Sequence, residues 1–130
     1  MIKDIVSAAN KVKDHAYSPY SHFKVGASIL SNNNNIYSGC NVESCAYGAT
    51  LCAEGAAIAN MVSNGEYKIA EIAITSSSNS VCYPCGICLQ KILEFSDDKT
   101  KIHLCVNGQI KESYVVLDLL PKGFVPAIFQ

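Results

Sequence analysis

Three cysteines and one glutamate have the types and the spacing of a metal-assisted hydrolytic site. Cys52-Ala53-Glu54 heads an alanine-rich segment, and Pro84-Cys85-Gly86-Ile87-Cys88 heads a second apolar segment. Cysteines three apart on a helix share one face, so Cys85 and Cys88 can grip a single ion. Cys52 supplies a third thiolate if the two helix starts meet. Helix N-termini carry partial positive charge and free N–H groups, and both stabilise thiolates. Three thiolates with no fourth protein ligand leave one corner of a tetrahedral zinc open, as a catalytic zinc requires. Zinc lowers the pKa of a water in that corner until hydroxide is available near neutral pH. Glu54 is not needed as a ligand, and it stands where it can carry protons between that water and a substrate.

Other chemistry is open to the same residues. A lone C-x-x-C also suits a thiol redox centre, or a structural zinc closed by Cys82, His103 or Cys105 as fourth ligand. Cys82-x-x-Cys85 is a second such spacing, although Cys82 precedes Pro84 and so lies outside the helix start. The chain has seven cysteines. An odd number cannot all pair within one molecule, and a reducing compartment disfavours disulfides. Cys40, Cys45, Cys82 and Cys105 are expected to be small buried apolar residues.

The elements that must hold these groups follow from periodicity and turn signals. Ile2, Ile5, Val6, Ala9 and Val12 recur at helical spacing up to about His15, before the turn-rich Tyr17-Ser18-Pro19-Tyr20-Ser21. Val25 to Leu30 and Ile36 to Cys40 read as a hairpin joined by Asn32 to Asn35. Ala53 to Ser63 reads as a helix stopped by Asn64-Gly65. Ile69 to Thr75 reads as a buried strand and Ser76 to Tyr83 as a polar loop. Pro84 is expected to open a helix running to about Phe95. Ile102 to Val106, the Asn107-Gly108 turn and Gln109 to Ser113 form another hairpin. Tyr114 to Leu120 reads as a short helix before Pro121. Hairpins mixed with strand–helix–strand units imply an α/β sheet covered by helices.

Composition excludes several classes. The 130 residues suit one domain, spanning 1–130. Apolar residues make up 49% and charged residues 16%, which argues against a disordered chain, a coiled coil or a collagen-like repeat. Such low charge also suggests that an oligomer hides part of the surface. All ten basic residues are lysines, none adjacent to another, and the net charge is -1. A clustered basic face for polymeric nucleic acid is therefore not expected. No apolar run approaches the roughly 18 residues of a membrane span. Met1-Ile2-Lys3-Asp4 lacks a signal-like apolar core, so a cytoplasmic address is expected.

C-x-E combined with P-C-x-x-C, each opening a helix, is the signature of the zinc deaminases, with cysteine allowed in place of the first histidine. The chain resembles the small homotetrameric cytidine deaminases along nearly its whole length. The matching stretches are Tyr20-Ser21-His22-Phe23-Lys24-Val25-Gly26-Ala27, Gly39-Cys40-Asn41-Val42-Glu43-Ser44, Tyr47-Gly48, Cys52-Ala53-Glu54, Pro84-Cys85-Gly86-Ile87-Cys88-Leu89-Gln90 and Leu119-Leu120-Pro121. The resemblance implies a three-layer α/β/α fold around a mixed sheet of about five strands. It implies one zinc per chain and hydrolysis of cytidine and 2'-deoxycytidine to uridine and 2'-deoxyuridine. A zinc-activated water would attack C4 of the pyrimidine, and Glu54 would pass protons to N3 and to the leaving amine. Asn41 and Glu43 would hold the ribose hydroxyls, Phe23 would pack on the base, and Ala53 would offer a backbone contact. Tyr47 lies in the substrate stretch, and Phe124 resembles an aromatic that reaches a neighbouring subunit's site.

Two positions depart from that family. Gly55 and Leu89 stand where its members often carry arginines that offset thiolate charge. Zinc with three thiolates is formally -1, so helix N-termini and N–H groups must do more of the compensation, with Lys91 a further possibility. Replacing either residue with arginine is expected to move the acid limb of the rate profile to lower pH. Deamination of another nucleoside, such as a nucleoside antibiotic, is a competing reading. So are a zinc-stabilised binding protein without turnover and a thiol redox protein using Cys82, Cys85 and Cys88.

Overall fold

A computed structural model describes residues 1–125. The elements in chain order are α1 (Ile2–Lys13), β1 (Val25–Ser31), β2 (Ile36–Cys40), a 3-10 turn (Tyr47–Ala49) and α2 (Ala53–Ser63). They continue as β3 (Ile69–Ser76), α3 (Gly86–Glu94), β4 (Lys101–Val106), β5 (Gln109–Val115) and α4 (Val116–Leu119). The five strands form one sheet in the order β2-β1-β3-β4-β5. β3 and β4 run parallel with α3 as their crossover, and the remaining neighbours are antiparallel.

Alternation along the strands sends side chains to two helical layers. Ala27, Ile29, Ile72, Ile74, Ile102 and Leu104 pack against Ala57, Ile58 and Met61 of α2 and Leu89 and Ile92 of α3. Leu30, Ala73 and Cys105 point the other way, onto Ile5, Val6 and Ala9 of α1. A mixed five-stranded sheet between helical layers is therefore what the residue pattern predicts and what forms.

Two glycines set the spacing of those layers. A Cβ on Gly26 would stand 2.2 Å from the Ala9 carbonyl oxygen of α1. A Cβ on Gly39 would stand 2.3 Å from the Ala57 nitrogen of α2. Both contacts are with backbone that cannot swing aside, so both helices lie closer to the sheet than any other residue permits.

Three boundaries lie two residues from the sequence reading. α3 begins at Gly86, not at Pro84, because Cys85 keeps an extended backbone (ψ 168°) and serves as the N-cap. β5 continues past Ser113 through Val115, since Tyr114 pairs with Ile102 and Val115 with Lys101. These ladder bonds leave only Val116–Leu119 for the last helix. α1 stops at Lys13, two residues short of His15. Both tight turns use left-handed backbone where the sequence supplies tolerant residues: Asn34 (φ 65°) in the first hairpin, Asn107 (φ 51°) and Gly108 (φ 78°) in the second.

Candidate active site

α2 and α3 both pack on the same face of the sheet and against each other, and their N-termini meet beyond the end of β3. Cys52 is the N-cap of α2, and its Sγ accepts the Gly55 N–H at 3.2 Å. Cys88 is buried in the first turn of α3. One ligand atom from each of Cys52, Glu54 and Cys88 lies within 4.8 Å of the other two. Cys85 is not in this tight trio. It is exposed at the N-cap position, and its thiol interacts with Cys88.

The trio's electrostatics follow from this packing. The neighbouring Cys88 thiol is the main influence that lowers the Cys52 thiol, to about 6. The Gly55 N–H and the Lys91 ammonium lower it too. Cys88 is pushed up by the Cys52 sulfur and by burial. Burial raises the Glu54 carboxyl to about 6, and the neighbouring Cys52 charge adds to this. Clustered cysteine sulfur is a soft donor of the kind zinc takes, so the residues fit a zinc ion.

Other candidate ligands are turned away. His103 Nε2 pairs with Glu71 Oε1 at 2.7 Å and His103 Nδ1 with Ser113 Oγ at 2.7 Å, tying β3, β4 and β5 together. Cys105 belongs to the α1 face. Cys82 is half-buried and senses the Glu54 charge, but it is not one of the clustered donors.

Asn41 and Glu43 are positioned by a short ladder that the sequence reading did not foresee. Val42 exchanges backbone hydrogen bonds with Leu51, the residue before Cys52, at 2.9 and 2.8 Å. On its other side, Tyr17 N–H donates to Asn41 O and Glu43 N–H donates to Tyr17 O. Asn41 and Glu43 flank Val42 in this extended stretch and so leave it on the same side. Asn41 is buried. Its Oδ1 accepts from Val25 N–H and its Nδ2 donates to Phe23 O, each at 2.8 Å. Glu43 Oε1 accepts the N–H groups of Tyr20 and Ser21, and Oε2 accepts the Ser21 hydroxyl. The Ser21 hydroxyl is the main reason the Glu43 carboxyl sits below its ordinary range. His22, between Ser21 and Phe23, takes a left-handed φ of 58°.

The family description "Cytidine and deoxycytidylate deaminase zinc-binding region" matches residues 1–104 of the chain. The chain belongs to the cytidine deaminase family. The cytidine deaminase of Sporosarcina psychrophila is 36% identical over 124 residues, covering 95% of this chain and 90% of its own. That of Mycoplasma genitalium is 37% identical over 121 residues, 92% of each chain. The crystal structure of cytidine deaminase from Burkholderia pseudomallei superposes with a TM-score of 0.88 at 32% identity, over 95% of this chain and 99% of that one. The enzyme from Mycobacterium tuberculosis superposes with a TM-score of 0.83 at 34% identity, over 96% and 98%.

As a member of the cytidine deaminase family the chain has a zinc-binding region, and Cys52, Glu54 and Cys88 form a group able to hold one metal ion. No helix among the described residues is long and apolar enough to cross a membrane. Ala53 is buried in the first turn of α2, and Phe23 is partly exposed near Asn41. Tyr47 (86% exposed) and Phe124 (74% exposed) are not gathered onto the sulfur cluster. Phe124 instead lines a cavity of about 630 Å³ with Tyr67, Leu93, Phe95, Val116 and Leu117. Its backbone is fixed to α3: Gln90 Nε2 donates to Phe124 O at 2.7 Å, and Phe124 N–H donates to Gln90 Oε1 at 3.1 Å. Gln90 and Ser21 both lie in the matching stretches but carried no role in the sequence reading.

Expectations about four residues are corrected. Cys45 is exposed, not buried, because it falls in the loop between Val42 and the 3-10 turn. Cys40 and Cys82 are half-buried, and only Cys105 of the four is fully inside. Leu89 is buried in the core between α2, α3 and the sheet. An arginine there would bury a charge among isoleucines, so the substitution tests packing, not thiolate compensation.

Proposed function

We propose that this chain catalyses hydrolytic deamination of cytidine and 2'-deoxycytidine, consuming water and releasing ammonia with uridine or 2'-deoxyuridine. The observation that carries the reading is the meeting of Cys52, Glu54 and Cys88 at two helix N-termini in a chain of this zinc-binding family. Cys52, Cys85 and Cys88 would hold the metal, with Cys85 joining from its exposed position beside Cys88. Zinc bound there supplies the Lewis acidity that makes water nucleophilic near neutral pH. Glu54 takes a proton as the water attacks C4 and delivers it to N3. It then moves a second proton to the amino group, which leaves as ammonia.

Asn41 and Glu43 take the ribose hydroxyls. Asn41 keeps one N–H and one lone pair free of its two backbone bonds, and the Glu43 carboxylate has acceptor capacity beyond its three. Phe23 packs on the base, with Ala53 backbone and Tyr47 on the approach. Phe124 serves a neighbouring copy's site within a homotetramer. Its exposure, with that of Tyr47, is what a second chain would relieve. Residues 1–130 act as a single domain, in the cytoplasm, in pyrimidine salvage.

The test is Glu54→Gln. The wild type is expected to deaminate cytidine, followed by the absorbance change, and E54Q to lose about 10²–10⁴-fold in kcat. Zinc content and thermal melting should stay unchanged. A wild-type chain inert toward cytidine, or an E54Q variant of undiminished rate, overturns the reading.

A further inference from the structure

Lys91 lies three residues beyond Cys88 on α3, which places both on one face of that helix. From there its ammonium crosses to the other helix, and Nζ stands 3.9 Å from Cys52 Sγ. Gly55 leaves room for the crossing. A Cβ on Gly55 would stand 3.1 Å from Cys52 Sγ and 3.1 Å from Lys91 Nζ, wedged between sulfur and nitrogen. Lys91 makes none of the three ion pairs among the described residues, and its charge also acts on the buried Glu54 carboxyl, whose pKa it lowers. It borders a groove lined by Leu51, Ile58, Ala59, Val62 and Phe95, with Glu94 as the other charged side chain there. Apolar surroundings strengthen a charge–sulfur attraction relative to open water.

We infer that Lys91 is a positioning residue whose ammonium balances the thiolate charge of the metal site, and that Gly55 is the gap that admits it. The inference rests on the proposed zinc-dependent function. A zinc ion held by three thiolates leaves the site one negative charge in excess, and the Lys91 ammonium stands 3.9 Å from one of those sulfurs. A fixed cation next to Cys52 therefore offsets charge that the loaded site carries. Charge is the property tested, since lysine and arginine share it and methionine lacks it.

The experiment compares zinc-loaded wild type with K91M, K91R, G55A and the G55A/K91M double variant. Zinc transfer to a chromogenic chelator is read at neutral pH, beside kcat and KM for cytidine. K91M is expected to give up zinc about 10- to 100-fold more readily, the usual range for a lost outer-shell partner, with kcat falling more than KM rises. K91R is expected to restore most of the loss. G55A should move in the same direction by displacing the ammonium, and should add nothing in the K91M background. Zinc held equally well by K91M and wild type overturns the role of Lys91 while leaving the deaminase reading intact. Equal impairment of K91M and K91R also overturns it, because charge would then not matter. A wild-type chain that takes up no zinc overturns both.

Discussion

Glu43 shows how one side chain can shape a loop. Its carboxylate draws in the backbone N–H groups of Tyr20 and Ser21 and the Ser21 hydroxyl, and this closes the turn that presents Phe23. Ionised carboxylates accept such hydrogen bonds more strongly than neutral amides do. Glu43→Gln is expected to raise KM for cytidine by about tenfold or more, in line with the roughly 1.5–3 kcal/mol of a hydrogen bond to a charged group, while zinc content stays at the wild-type level. S21A should shift KM in the same direction by less, since two of the three hydrogen bonds remain. Steady-state kinetics with metal analysis on the same samples decides this. An unchanged KM in E43Q would remove Glu43 from the substrate side.

Among the secondary elements, the first hairpin and the loop after α2 are joined by one carboxylate. Glu66 accepts hydrogen bonds from the Tyr37 hydroxyl and from Asn35 Nδ2. Those donors, led by Tyr37, bring its pKa from 4.5 down to about 2. The unfolded chain takes up this proton at higher pH than the folded chain does, so between the two values stability rises with pH. The contribution is complete above the unfolded value and is lost as pH falls toward about 2. Urea unfolding from pH 6 to pH 2 should therefore show a steeper acid decline in wild type than in E66Q. Parallel profiles would show that the hairpin does not depend on this charge. The same hairpin depends on Gly39, which lets β2 lie close on α2 just before the chain reaches Asn41.

On the scale of the molecule, one chain supplies the metal donors but leaves several aromatic rings without cover. Tyr47 and Phe124 are largely exposed, and the cavity bordered by Phe124 contains none of the clustered donors. Phe124 is held at a fixed place by Gln90, beside that cavity. F124A is expected to lower kcat/KM several-fold without lowering zinc per chain, as loss of a packing contact to substrate from a neighbouring copy would. Mixing F124A with E54Q should then recover activity in hybrid assemblies, read by cytidine turnover at constant total protein. No recovery would place Phe124 outside any shared site. Sedimentation of the 14.0 kDa chain checks the tetramer directly.

The sequence by itself determined the kinds of donor and their local placement. Cys52 and Glu54 open one helix and Cys88 stands one turn into another, because spacing along a helix is fixed by its pitch. Alternating apolar residues likewise set the strands, and Asn34 and Asn107-Gly108 set the turns. Tertiary structure decided what no local rule contains. The order β2-β1-β3-β4-β5 brings the two helix starts together, pairs Val42 with Leu51, buries Leu89 and turns His103 toward Glu71. It also carries the Lys91 ammonium to Cys52 through the gap at Gly55. Each of these joins residues far apart in the chain. Their meeting depends on which faces of the sheet the helices cover, and that is a property of the packed core as a whole.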